Sequence, residues 1–87
     1  MRAVEQRVYQ VISTVADWLP RDRKIRQSDS LKNDLGFDSL AIVHLQVAIE
    51  DEFGIRFDPV NTDFISVFDT VGSLTTFLID AGVVSEE

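Results

Sequence analysis

At 87 residues the chain has room for one modest core but not for a second lobe around a deep substrate cleft, so a single domain over 1–87 is expected and an elaborate enzyme is not. With 45% hydrophobic and 26% charged residues it reads as a folded domain, and the absence of cysteine excludes disulfides, thiolate metal sites and cysteine nucleophiles. The net charge of −7 is lopsided: residues 1–37 carry seven basic and five acidic side chains, residues 38–87 only Arg56 against ten acids, which argues against nucleic acid and for basic protein surfaces as partners.

The opening Met1-Arg2-Ala3-Val4-Glu5 lacks the apolar run of a signal peptide, and no apolar stretch is long enough to span a bilayer, so a cytoplasmic protein with no membrane insertion is expected. Val4, Val8, Val11, Ile12, Val15 and Leu19 then recur at helical spacing and predict a helix over residues 3–19, ended by Pro20. Residues 21–38 are polar and turn-rich and form a long loop, for which Leu31, Leu35 and Phe37 are the expected apolar pins. Asp38 suits a helix N-cap, and the run from Ser39 to Phe53, free of glycine and proline, predicts a second long helix closed by Gly54. A linker through Asp58-Pro59 leads to a short third helix within 61–68 that turns Phe64, Ile65 and Phe68 inward. A last helix, capped by Asp69 or Thr70, buries Val71, Leu74, Phe77 and Leu78 and stops near Gly82. No segment alternates as a strand does. The expected fold is all-α: a small four-helix bundle, three longer helices and one short one, with a long loop between the first two.

The second helix has two apolar stripes. At about 100° per residue, Ile42, Ile49 and Phe53 share one direction, flanked by Leu45 and Gln46, and are the expected core face, while Leu40, Val43 and Val47 form another stripe roughly 130° away. Two readings follow. Either the helix is central and packs on both sides, or the second stripe stays partly exposed as a docking surface with Asp38 and Asp51 as its acidic rim.

Gly36-Phe37-Asp38-Ser39-Leu40 narrows the function. From Gly36 to Phe53 the chain resembles the acyl carrier protein family, whose prosthetic-group motif sets a serine between aspartate and leucine at the start of a long helix. The likeness extends to the amphipathic first helix, the long loop, the acidic Glu50-Asp51-Glu52-Phe53-Gly54 end and the Thr70-Val71 opening of the last helix. It implies that a phosphopantetheinyl transferase moves 4′-phosphopantetheine from coenzyme A to Ser39, with Asp38 as motif neighbour and helix cap. The arm then carries acyl or aminoacyl groups as thioesters on a non-catalytic protein, which is how a chain without cysteine would do thiol chemistry. The implied partners are the transferase, an acyl- or aminoacyl-loading enzyme and enzymes of ketosynthase or acyltransferase type. They would meet a monomer on a face made of Leu40, Ala41, Val43, His44, Val47, Glu50 and Asp51. The position itself is apt, because a phosphodiester on the first helical turn lies in the favourable field of the helix N-terminus.

Other chemistries fit poorly. His44, the sole histidine, lies five positions from Ser39 and about 140° around the same helix, out of reach as a base for a hydrolytic serine, and the Gly-x-Ser-x-Gly elbow is missing. His44 has no second histidine or cysteine to complete a metal site, and 51–63 lacks the glycine and acid spacing of a calcium loop, so no metal is expected. Fatty-acid carriers usually hold acids early in the second helix, where this chain has Ala41 and His44. That departure favours a specialised polyketide or aminoacyl pathway over housekeeping fatty-acid synthesis, and the start at Met1 with the lack of Pro- or Ala-rich linkers favours a stand-alone carrier over one cut from a megasynthase. The basic stretch Arg21-Asp22-Arg23-Lys24-Ile25-Arg26 is either a further partner contact or a solvated loop, and a helical adaptor without a prosthetic group remains the alternative from another class.

Overall fold

The computed structural model describes residues 3–82, and the two ends of the expected 1–87 domain lie outside them. Four helices follow in order: α1 (Ala3–Val15), α2 (Ser39–Phe53), α3 (Phe64–Val67) and α4 (Val71–Asp80). Among the described residues there is no strand, only an isolated antiparallel bridge between Ser30 and Thr70. The all-α fold with its long α1–α2 loop is as the sequence predicts.

α1 buries Val4, Val8, Val11 and Ile12, one stripe of the predicted helix. It stops at Val15, short of the expected end at Leu19. The Ala16 N–H still reaches the Ile12 carbonyl, but the Leu19 N–H bonds Ala16 O at 3.1 Å in a tight turn. The cause is tertiary: the Trp18 indole N–H donates to Leu35 O at 2.9 Å and the ring meets Phe37 edge-on at 5.1 Å, which draws the segment over the loop.

That loop is fastened along its length. Leu31, Leu35 and Phe37 are buried, the pins the sequence names. The buried Asp29 accepts from the Arg26 N–H at 2.9 Å and faces Arg23 at 3.5 Å. The loop is then laced to the start of α4 by Leu31 N–H to Asp69 O, Val71 N–H to Asp29 O and Gly72 N–H to Gln27 O, at 3.0, 3.0 and 2.8 Å. A Cβ on Gly72 would lie 2.9 Å from the Gln27 carbonyl oxygen, so this close approach requires glycine.

α3 is a single turn, narrower than the expected 61–68, because the Asp58 carboxylate first holds the Val60 and Asn61 N–H groups in a turn of their own. One inward assignment is overturned. Ile65 is 88% exposed, and Val67 takes the buried position, while Phe64 and Phe68 join Phe57 and Phe77 in an aromatic cluster. α4 opens on a capping box between Thr70 and Ser73 and buries Val71, Leu74, Thr75 and Leu78, with Phe77 half-buried.

Candidate functional site

The approach to Ser39 is rigidly built. Gly36 takes φ +75°, a left-handed turn, and a Cβ there would meet the Trp18 Nε1 at 3.3 Å. The buried Phe37 follows, and then Asp38 leaves the turn in extended geometry (φ −92°, ψ −177°) with its carboxylate accepting from the Ala41 N–H at 2.8 Å. Asp38 is therefore the N-cap. Ser39 is the first residue of α2 and is exposed. In an α-helix the first N–H groups have no acceptor within the helix, so the Ser39 hydroxyl stands at the positive end of the dipole.

Beside Ser39 lies a groove of about 290 Å³. Ile42 of α2 and Phe64, Ile65 and Phe68 around α3 give it apolar walls. Its polar edge comes from Ser30, Lys32 and Asn33 of the loop and Asp69 ahead of α4. The sequence reading names none of those four as site residues, because only the lacing of the loop to α4 brings them to the serine.

α2 is buried along Ala41, Leu45 and Ile49: of the expected core stripe, Ile49 and the flanking Leu45 are buried, Ile42 and Phe53 are only half-buried, and Ala41 takes the remaining core position. Of the other helices, α1 is the one whose backbone runs close to it. The second stripe is accordingly uncovered, with Leu40, Val43 and Val47 exposed by 64%, 50% and 52%. This decides against a helix packed on both sides. His44 and Asp51 are exposed on α2 as well.

Two residues grouped with this face by sequence have other places. Ala41 is 8% exposed and belongs to the core, since its position falls on the side of the helix that meets α1. Glu50 is half-buried and turned toward the following linker, where its carboxylate accepts from the Phe57 N–H at 2.9 Å and sits 3.7 Å from Arg56. Glu52 is engaged by Arg7, which bonds its carboxylate at 3.1 Å and its carbonyl at 2.7 Å and lies over the Phe53 ring. Arg7 thereby staples α1 to the end of α2.

A family model described as "Phosphopantetheine attachment site" matches residues 9–78. The chain belongs to this family, the acyl carrier proteins. It is 36% identical over 72 residues to a protein of Schizosaccharomyces pombe named as a mitochondrial acyl carrier protein, a match covering 82% of this chain and 63% of that one. It is 41% identical over 54 residues to "Acyl carrier protein 3" of Ralstonia nicotianae, covering 62% of this chain and 59% of the relative. The matches thus span less than two thirds of either relative's length. Among solved structures, a Mycobacterium tuberculosis chain described as an acyl carrier protein superposes with a TM-score of 0.72 at 30% identity, over 91% of this chain and 99% of that one.

4′-Phosphopantetheine is the group an attachment site of this family takes, and the residues around Ser39 suit it. Ser39 is exposed, the neighbouring carboxylate is committed to the Ala41 N–H, and the adjoining groove has room along its apolar walls. Among the described residues no helix is long and apolar enough to cross a membrane.

Proposed function

We propose that this chain is a carrier that holds acyl or aminoacyl intermediates as thioesters on a 4′-phosphopantetheine arm attached to Ser39. The observation that carries the reading is the exposed serine on the first turn of α2, capped by Asp38, inside a stretch that matches the attachment family. On the transferase the Ser39 hydroxyl gives up its proton and its oxygen bonds to the phosphorus that bears the pantetheine of coenzyme A, while the phosphoanhydride bond breaks and adenosine 3′,5′-bisphosphate leaves. Bound there, the group supplies the terminal thiol that a chain without cysteine lacks. The protein's own part is to present the serine, to order the first turn of α2 through Asp38, and to offer Leu40, Val43 and Val47 to the transferase, the loading enzyme and enzymes of ketosynthase or acyltransferase type.

The pathway we propose is a specialised one, polyketide or aminoacyl. After Asp38 no acid occurs until Glu50, so the first three turns of α2 show partners an apolar and neutral surface, with His44 exposed on it. Such a face suits partners that read shape and apolar contact more than dense negative charge.

Incubation with coenzyme A and a promiscuous transferase raises the intact mass by one phosphopantetheine, and Ser39→Ala abolishes the gain. No gain with several competent transferases would sink the reading. A helical adaptor would use the same uncovered face without an arm, and its partner binding would survive Ser39→Ala and fail with Val43→Asp.

A further inference from the structure

The groove beside Ser39 is not uniformly apolar, and its one cation is placed by the fold. Lys32 stands between Leu31 and Leu35, buried at 0% and 1%, and the segment is tied down by the Leu31 N–H to Asp69 O bond and the Ser30–Thr70 bridge. With its neighbours anchored inward, Lys32 is exposed and lines the groove together with Ser39. Arg7, Arg23 and Arg56 all face a carboxylate within 4.0 Å, but Lys32 has no ion pair among the described residues, not even with Asp69 on the same groove.

Resting on the carrier reading, we propose that the Lys32 ammonium is the counter-charge of the phosphodiester formed on Ser39 and holds the root of the arm against this groove. The phosphodiester carries one permanent negative charge and sits one bond from the Ser39 oxygen. It therefore enters the space that Lys32 lines whatever cargo lies at the far end of the arm. The N-terminus of α2 supplies the second half of the favourable field, and Asn33, which lines the same groove, carries a side-chain amide able to donate as a neutral partner. Asp69 acts in the other direction. Its carboxylate repels the phosphate and draws Lys32, so the arm's position reflects a competition across the groove.

The chain contains two lysines, Lys24 and Lys32, so Lys24, outside the groove, is a built-in reference. Apo protein and holo protein, the latter verified by intact mass, receive a brief pulse of an amine-acetylating reagent at low salt, and the two lysines are compared by peptide mass. We expect Lys32 acetylation, relative to Lys24, to fall about two- to fivefold in the holo form, the range that an exposed ion pair supplies. The fall disappears at high salt, as pairing at an exposed site requires, and it is larger in Asp69→Asn, where the competing carboxylate is gone. Equal Lys32 reactivity in verified apo and holo protein overturns the inference and leaves the carrier reading intact. A fall that persists undiminished at high salt overturns it too, since that would be shielding by the arm without charge pairing. Absence of the mass gain itself is the distinct failure that removes the carrier reading.

Discussion

Asp38→Ala tests whether the capping carboxylate, rather than the serine alone, prepares the site. The Asp38 side chain accepts from the Ala41 N–H at 2.8 Å, so truncation orphans a donor on the first turn of α2 and removes a negative charge from the positive helix end. The cap is worth about 1 kcal/mol and the charge a further 0.3–1 kcal/mol or so at an exposed position. For a domain of this size, about 1 kcal/mol lowers the melting temperature by roughly 4–8 °C, so Asp38→Ala should melt several degrees below wild type in far-UV circular dichroism at neutral pH. Asp38→Asn keeps an acceptor and loses only the charge, and should fall by the smaller part of that amount. The reasoning fails if Asp38→Ala melts with wild type. It also fails if Asn costs as much as Ala, because the effect would then belong to charge and not to the bond.

Four further outcomes follow from the same geometry. Leu45→Ala, at a fully buried position facing α1, should cost about 2–5 kcal/mol in denaturant unfolding, whereas Val47→Ala on the uncovered stripe should cost a small fraction of that. Trp18→Phe keeps a ring near Phe37 but loses the donor to Leu35 O, and should destabilise by about 1 kcal/mol in the same assay. Asp58 is held below the ordinary carboxyl value by the Asn61 side chain and the Val60 and Asn61 N–H groups, and Asp63 by the Ser66 hydroxyl and N–H. Because their folded values are depressed, their contribution is present above the unfolded value near 3.8 and is lost as pH falls through the lower folded values. Asp58→Asn with Asp63→Asn should therefore flatten the acid limb of a stability–pH profile. In binding kinetics with a partner enzyme, Val43→Asp should chiefly speed dissociation, while Asp51→Asn should slow association and weaken its salt dependence.

Where a single strong local signal existed, the sequence reading and the structure agree. Asp38 and Gly54 bound α2 to the residue, since a cap acts through atoms only a few positions away. Leu31, Leu35 and Phe37 are isolated apolar residues in a polar stretch, and burial is the natural fate of each. The failures arise where two local choices were equally apolar. α2 carries apolar residues nearly all round between Leu40 and Ile49, so periodicity gives no unique face; contact with α1 selects Ala41, Leu45 and Ile49, and alanine's small side chain gave that stripe little weight. Ile65 and Val67 compete for one inward position on a single turn, and the aromatic cluster around Phe57 settles the outcome from outside the helix. Lys32 had no local signature at all. Its place depends on hydrogen bonds between residues 27–31 and 69–72, pairings that no window of sequence reveals.

The distribution of acids separates two jobs that the total charge of −7 conflates. Asp38 caps α2, Glu50 holds the Phe57 N–H, Glu52 receives Arg7, and Asp58 and Asp63 close the turns before and at α3, so five of the ten acids in residues 38–87 are fixed in place by specific bonds. They still contribute to the field at a distance, because a hydrogen-bonded carboxylate keeps its charge, and that field draws basic surfaces toward this side of the molecule. Close contact is another matter. The side chains uncovered on α2 beside Ser39 are Leu40, Val43 and Val47, and there the gain comes from removing apolar surface from water. In the proposed carrier, approach is therefore governed by long-range charge and retention by a neutral apolar stripe. A partner needs basic residues only at the rim, around Asp51, and an apolar patch at the centre, directly over the turn that presents the serine.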